Sequence, residues 1–338
     1  MTPPIDLARI RTPDEAIMNS LLDEKLSRRR ALTCLGAWSG AAVLWSVVGG
    51  VPRAYGKAAD TDAPRVSGFT FAQISDTHIG FHKEANPDVA GTLGRCIADI
   101  NGLAHKPTFV AHTGDITHLS KPAEFDTADQ LFSEIKVDRI HYVPGEHDAL
   151  DSGLTGYLTR HGQQGNGSPW YSFDDHGVHF VGLSNVVDFE AGKMPTLGDE
   201  QLKWLEQDLA ARAASTPIVI LAHIPLWTVY EPWGWGTADA PRALAALRRF
   251  GSVTVLNGHI HQVLQKVEGH VAFHTAMSTA YPQPAPGAAD SPGPLVVPAG
   301  ELGRYLGTRE LKIVRGKELL ATVDRPIAGA ADIGKVRS

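Results

Sequence analysis

The chain has 338 residues, room for one large domain or two small ones, and its 43% hydrophobic and 20% charged content is that of an ordinary globular protein. A net charge of -6 argues against a nucleic-acid binder, which is ordinarily basic, and no nucleic-acid surface is expected. Two cysteines, Cys34 and Cys96, are too few for a disulfide framework, whereas 15 histidines are a rich supply of imidazole.

The first 26 residues are polar and mixed. Ser27-Arg28-Arg29-Arg30 then precedes an uncharged run over 31–51. A twin-arginine pair before a Gly/Ala-rich apolar stretch resembles a Tat export signal. It implies a periplasmic or otherwise exported protein handed to the Tat machinery. The run is also just long enough to span a bilayer, so a retained membrane anchor is the alternative; its glycines, with Ser39 and Ser46, weigh against that. If the signal leaves, Cys34 leaves with it, and Cys96 reads as a buried helix residue. The expected division is an export region over 1–56, a polar linker over 57–68, a folded domain over 69–325 and a tail over 326–338.

Within the domain the first strand spans 69–74. Asn86-Pro87-Asp88 then opens a helix running to about Leu103, with Val89, Leu93, Ile97 and Ile100 on one face. Pro107 precedes a second strand, and 122–134 reads as a helix with Phe125, Ala128, Leu131 and Phe132 inward. Strand three covers 140–143. The Gly-rich stretch 151–168 reads as a loop. Strands over 170–173 and 178–183 form an antiparallel pair around Asp174-Asp175-His176-Gly177. Gly198-Asp199-Glu200 opens a helix carrying Leu202, Leu205 and Leu209. A fully apolar strand over 217–221, a Trp-rich loop, a helix over 241–250 and a strand over 253–256 follow. A hairpin over 263–267 and 271–275, a long Pro/Gly/Ala loop over 281–298 and a last hairpin over 311–314 and 319–323 complete the domain.

Strands alternating with helices and then hairpins predict a layered α/β fold, a sandwich of two mixed sheets flanked by helices. Ligands in such folds sit beyond the carboxyl ends of strands. Five strand ends carry chemistry: Asp76-Thr77-His78, Gly114-Asp115, Gly145-Glu146-His147-Asp148, His223 and Gly258-His259-Ile260-His261. An apolar run that stops in Gly-Asp delivers a carboxylate to the sheet edge, and glycine lets the backbone crowd a ligand there. Imidazole together with carboxylate suits Zn, Mn or Fe rather than Ca.

In this order the five clusters resemble the calcineurin-like metallophosphoesterases over roughly 69–275. The resemblance implies an αββα sandwich and a metal-dependent phosphoric ester hydrolase with two metal ions, divalent or mixed-valence. Asp76, His78 and His261 would hold the first ion, His223 and His259 the second, and Asp115 both. It implies hydrolysis of a small phosphomono- or phosphodiester by a hydroxide between the ions. His147 would lie beside the phosphate and help expel the leaving group.

The chain departs from that pattern at Glu146, where the family carries Asn. Glu146 is expected to join the second ion with a full negative charge and one more methylene, weakening its Lewis acidity or favouring ferric iron. A metal-holding or metal-sensing envelope protein of weak activity is therefore the alternative function. Asp148 has two readings, orienting the His147 ring for catalysis or bracing a turn. Trp227, Tyr230, Trp233 and Trp235 form either an aromatic substrate wall or local packing. His112, His118 and His274 read as outer neighbours of the centre rather than ligands. No P-loop, Gly-x-Ser-x-Gly elbow or Cys-x-x-Cys pair is present.

Overall fold

The structure, a computed structural model, describes residues 43–48, 51–56, 68–298, 300–313 and 321–327. Two units emerge, 1–65 and 66–338. In the first, strands β1 (Val43–Val48) and β2 (Val51–Gly56) pair antiparallel, Val43 opposite Gly56. The twin-arginine stretch, Cys34, the expected linker over 57–67 and the tail beyond 327 lie outside the described residues. No helix among the described residues is long and apolar enough to cross a membrane.

The second unit holds two mixed sheets. The five-stranded sheet runs β13-β12-β3-β4-β5, from β3 (Phe69–Ile74), β4 (Val110–His112), β5 (Ile140–Tyr142), β12 (Gly307–Ile313) and β13 (Ala321–Pro326). The six-stranded sheet runs β10-β11-β9-β8-β7-β6, from β6 (Tyr171–Asp175), β7 (Val178–Leu183), β8 (Ile218–Ala222), β9 (Val253–Asn257), β10 (Gln265–Glu268) and β11 (Val271–Thr275). Residues pointing to opposite faces of each strand fill different cores. Phe71, Phe109 and Ala111 meet Phe180, Val219 and Leu256 between the sheets. Ala72, Ile74 and Val110 face outward, where helices α1 (Val89–Asn101) and α2 (Pro122–Phe132) cover them. The far face is covered by α4 (Asp199–Ala210) and α5 (Ala240–Leu247). The result is the expected α/β/β/α sandwich.

The helices follow from local chemistry. Asp88 caps α1 by accepting from Gly91 N at 2.8 Å, and Val89, Leu93, Cys96, Ile97 and Ile100 form its buried stripe. Burial pushes the Cys96 thiol up to about 12, which keeps it protonated and inert. The stretch 151–168 is not wholly a loop. It carries α3 (Thr155–His161), which the buried Tyr157 ties to the sheet by donating to Tyr142 O at 3.0 Å. Its surrounding glycines dilute any apolar period.

Register positions the site. Ile74 lies opposite His112, and His112 opposite Tyr142, so three parallel strands end in one row. Leu221 lies opposite Leu256 and Thr275 opposite Asn257 in the other sheet. Every chemistry-bearing turn named above leaves one of these ends.

Candidate metal centre

The strand-end turns keep pairing after the strands stop. Asp76 N donates to Gly114 O at 3.0 Å, His78 N to Asp115 O at 2.9 Å, and Gly258 N to His223 O at 3.0 Å. Two glycines let the turns close on each other. A Cβ at Gly145 would collide with the Asp115 carboxylate, and one at Gly258 with Ser75 Oγ and Asp76. Five of the nine non-glycine residues with positive φ among the described residues are Asp76, Asp115, His78, His259 and His261. Such backbone costs on the order of 1–3 kcal/mol per residue and persists where surrounding structure dictates it, commonly at functional sites.

These turns bring together every residue expected to bind metal. Asp76, His78 and His261 have ligand atoms within 4.8 Å of one another; so do Glu146, His223 and His259, and so do Asp76, Asp115 and His223. Asp115 lies between the two sets, its Oδ2 being 3.4 Å from His78 Nε2 and 3.4 Å from His223 Nε2. Glu146 splays its oxygens, Oε2 to His223 Nε2 at 2.9 Å and Oε1 to His259 Nδ1 at 2.9 Å. His261 Nε2 is 3.3 Å from Asp76 Oδ1 and 3.2 Å from His78 Nε2.

Hydrogen-bond accounting tests whether this donor set fits a metal. His223 Nε2, His259 Nδ1, His78 Nδ1 and Glu146 Oε2 are buried and make no aligned hydrogen bond. Buried polar atoms are ordinarily satisfied. Here His223 Nε2 and His259 Nδ1 lie 2.9 Å from the Glu146 carboxylate yet aim past it, as donor atoms do around a shared cation. The opposite edges of two rings are fixed. His223 Nδ1 donates to Thr113 O at 2.7 Å and His261 Nδ1 to Tyr281 O at 2.5 Å, which turns both Nε2 lone pairs inward. The donor set is imidazole and carboxylate, suited to first-row transition metals. Burial opposes protonation of His223, but the Asp115 and Glu146 carboxylates raise this ring well above the ordinary imidazole range. Against the upward push of burial, His259 and His223 hold Glu146 well below the carboxylate range.

Behind the ligands lies a polar brace between the sheets. Gln73 Nε2 donates to Thr113 Oγ1 at 3.0 Å and to Asn257 O at 3.2 Å. The buried Arg309 donates to Gln73 Oε1 at 3.3 Å, Thr275 O at 2.8 Å and Asp324 Oδ1 at 2.7 Å. A buried guanidinium persists only with such a full set of partners.

His147 sits at the open side of the centre. Its N–H donates to Asp115 Oδ1 at 2.9 Å, and its Nδ1 faces His118 O at 2.7 Å. Asp148 does not meet this ring. Its carboxylate accepts from Ile116 N, Thr117 N, Thr117 Oγ1 and Gly145 N at 2.8–3.0 Å. Of its two readings, the contacts are those of the turn brace. A short 3-10 turn, Glu146–Asp148, directs the side chain toward Thr117. Burial, and then Asp115, raise the Asp148 carboxyl to about 6.

The aromatic loop is packed rather than offered to the cleft. Trp227 lies against Phe273 in the outer core, ring centroids 5.1 Å apart. Trp233 is buried between Tyr230 at 5.2 Å and Trp235 at 4.9 Å, in a cluster with Ile260. Apolar burial claims Trp233, while Trp227 and Tyr230 are half-buried against Phe273 and Trp233. Trp235 reaches the centre only from behind, 6.2 Å from the His259 ring.

Two neighbours of the centre stand out: Tyr281, which residue types at strand ends do not reveal, and His118, expected as an outer neighbour. Tyr281 touches both first-set rings, its hydroxyl 3.2 Å from His78 Nε2 and its ring 4.7 Å from His261. Its only sequence signal is an aromatic opening a Pro/Gly/Ala loop. His118 stacks on His147 at 4.9 Å, and burial, followed by His147, lowers it to about 4. His112 contacts Thr77 Oγ1 at 3.2 Å behind the turns, and His274 lies on β11; neither joins a ligand set.

Comparison with known proteins agrees with this geometry. Over 215 residues the chain is 25% identical to a probable glycerophosphodiester phosphodiesterase GpdQ of Arcobacter nitrofigilis, covering 62% of this chain and 78% of that protein. It is 26% identical to the glycerophosphodiester phosphodiesterase GpdQ of Enterobacter lignolyticus, covering 63% and 78%. In fold it is similar to a dimetal phosphatase from Danio rerio, with TM-score 0.55 and 15% identity, covering 76% of this chain and 98% of that one. The pattern of the calcineurin-like phosphoesterases matches residues 69–263, more than half of the chain, and this protein belongs to that family of metal-dependent phosphoester hydrolases.

Proposed function

We propose that this chain is an exported dinuclear-metal phosphohydrolase acting on small phosphodiesters or phosphomonoesters. Asp76, His78 and His261 would hold the first ion, His223, His259 and Glu146 the second, and Asp115 would join both. The observation that carries the reading is the Asp115 Oδ2 atom, equidistant at 3.4 Å from an imidazole of each set. Two ions so close need a shared anion between them, and a carboxylate supplies it. When bound, the ions supply Lewis-acid neutralisation of the phosphoryl oxygens and a water of lowered pKa.

The chain's own residues do the rest. Thr113 O and Tyr281 O hold His223 and His261 in the tautomer whose Nε2 faces inward. His118 O orients His147, leaving Nε2 of that ring as the atom to protonate a departing alkoxide. Asp148 keeps the His147 turn pinned to the Asp115 turn. The diester side of the proposal rests on the glycerophosphodiester phosphodiesterases to which the chain is similar. Export, through the Tat route, rests on the twin-arginine stretch.

The test pairs metal analysis with turnover on one sample. Protein from its native compartment is expected to hold two transition-metal ions and to hydrolyse members of a phosphodiester and phosphomonoester panel. Tight metal without turnover, restored in Glu146→Asn, would assign the wild type to metal holding instead.

A further inference from the structure

Eight large apolar side chains are exposed among the described residues: two, Val267 and Val323, lie on the edge strands β10 and β13. The other six are Leu119, Leu150, Val187, Leu295, Val296 and Tyr305, and all stand on turns at the edge that carries the metal centre. Singly exposed apolar residues need no explanation, but their concentration around one mouth does. Leu119 follows His118, whose ring lies on His147. Leu150 is tied to the same corner, its N–H donating at 3.0 Å to Ser120 Oγ, which itself donates to His147 O at 2.7 Å. Leu119 is 45% and Leu150 57% exposed, so neither is held by the core.

The wall between them and the centre is also apolar in character. His118 meets Phe81 edge-on at 5.2 Å, and Phe81 meets Tyr281 at 4.4 Å. Pro282 follows Tyr281, and its carbonyl accepts from Leu295 N at 2.8 Å. Phe81 and Tyr281 are buried and back His118 from within, so the exposed apolar corner is formed by Leu119 and Leu150. It stands beside His147, the ring set to protonate the leaving group. Lys83, whose charge reaches His118 together with that of His82, is exposed.

We propose that the phosphoester this centre takes carries an apolar alcohol, seated on the Leu119–Leu150 corner. The proposal rests on the phosphohydrolase reading and narrows its substrate class.

The experiment is a series of n-alkyl phosphates, methyl to hexyl, in which the alkanol is the leaving group, given to the metal-loaded protein below their micelle concentrations with phosphate release as the readout. A partly buried methylene should raise kcat/KM by about twofold, half of the full transfer effect. Leu119→Ser/Leu150→Ser, both on the surface, should flatten that slope while leaving the methyl ester within about twofold of wild type. A flat wild-type series, or an unchanged slope in the double variant, overturns the proposal. Binding to phosphatidylglycerol vesicles without any chain-length slope also overturns it and assigns the rim to a surface. Should no ester turn over, the phosphohydrolase reading is what fails. Calorimetry of methyl- to hexylphosphonate on the metal-loaded protein then reads the rim alone, with Kd falling along the series as the supporting result and a constant Kd as the opposing one.

Discussion

The two sheets bring unlike chemistry to the same edge. Turns after β3, β4 and β5 supply all three carboxylates, Asp76, Asp115 and Glu146, together with His78 and His147. Turns after β8 and β9 supply only imidazoles, His223, His259 and His261. Neither edge is a complete donor set, because carboxylates alone repel and imidazoles alone leave cation charge unbalanced. The centre exists only where the sheets are held face to face. Its geometry therefore depends on contacts that cross the seam, and contacts within one sheet should matter to the fold before they matter to the metals.

The largest expected effect is at the group both sets share. Asp115→Asn keeps size and one oxygen but removes the charge that offsets two cations. We expect loss of at least one ion by elemental analysis and a drop in kcat/KM of more than about 100-fold, since losing an outer partner of a ligand alone costs about 10- to 100-fold. Full metal occupancy with near-native turnover in this variant would remove Asp115 from the shared position.

Asp148→Ala tests the opposite limit, a brace confined to the five-stranded sheet. It strips the partner from three backbone N–H groups and Thr117 Oγ1, all buried. Each buried group left unsatisfied costs about 1–3 kcal/mol, so a loss of roughly 3 kcal/mol or more is expected in denaturant unfolding. A ring-orienting role would predict instead an unchanged unfolding midpoint with a selective fall in kcat.

Gly258→Ala probes the seam itself, where a turn of one sheet abuts Ser75 and Asp76 of the other. Overpacking of this kind costs about 1–3 kcal/mol. Metal affinity is expected to fall further than stability does, because one of the displaced side chains is Asp76, a proposed ligand. Equal retention of both ions by calorimetry would show that the sheets can shift without disturbing the donor set.

How much of this was legible in the sequence differs between the two kinds of feature. Strands such as β3 and β8 are short, fully apolar runs that stop at a polar turn, and both their limits and the residues they deliver follow from that pattern. The set of side chains that converge was legible for the same reason, each member standing at a strand end. The α3 segment was not, because Gly153, Gly156 and Gly162 erase its period and the contacts that hold it are tertiary, among them Tyr157 with Tyr142 O and Arg160 with Asp126. Asp148 had two readings because adjacency to His147 suggests contact, whereas one 3-10 turn directs its carboxylate to Thr117 and Gly145. Tyr281 and the positive-φ backbone of five site residues belong to tertiary closure and leave no local signal. The Trp227–Trp235 loop shows the converse: residue types fit for a binding wall are spent on packing.

The smallest effect concerns a seam contact away from the metals. His141 on β5 stacks on Phe173 on β6 at 3.7 Å, crossing from one sheet to the other, with Nδ1 facing Gln164 Oε1 at 3.1 Å. Burial lowers His141 to about 4, as it does His161. The folded state therefore stays neutral at these rings while the unfolded chain, near 6.5, takes up protons. Stability is full above about pH 6.5 and declines as pH falls toward 4, at up to about 1.4 kcal/mol per pH unit for each proton. His141→Phe preserves an aromatic stack and removes one of those protons. Denaturant unfolding of the two proteins between pH 7.5 and 4.5 should give curves that converge toward high pH and separate in acid, the variant falling less. Because the metal centre titrates alike in both, the difference isolates the far end of the seam, and parallel curves would mean that His141 already carries a proton within the folded sandwich.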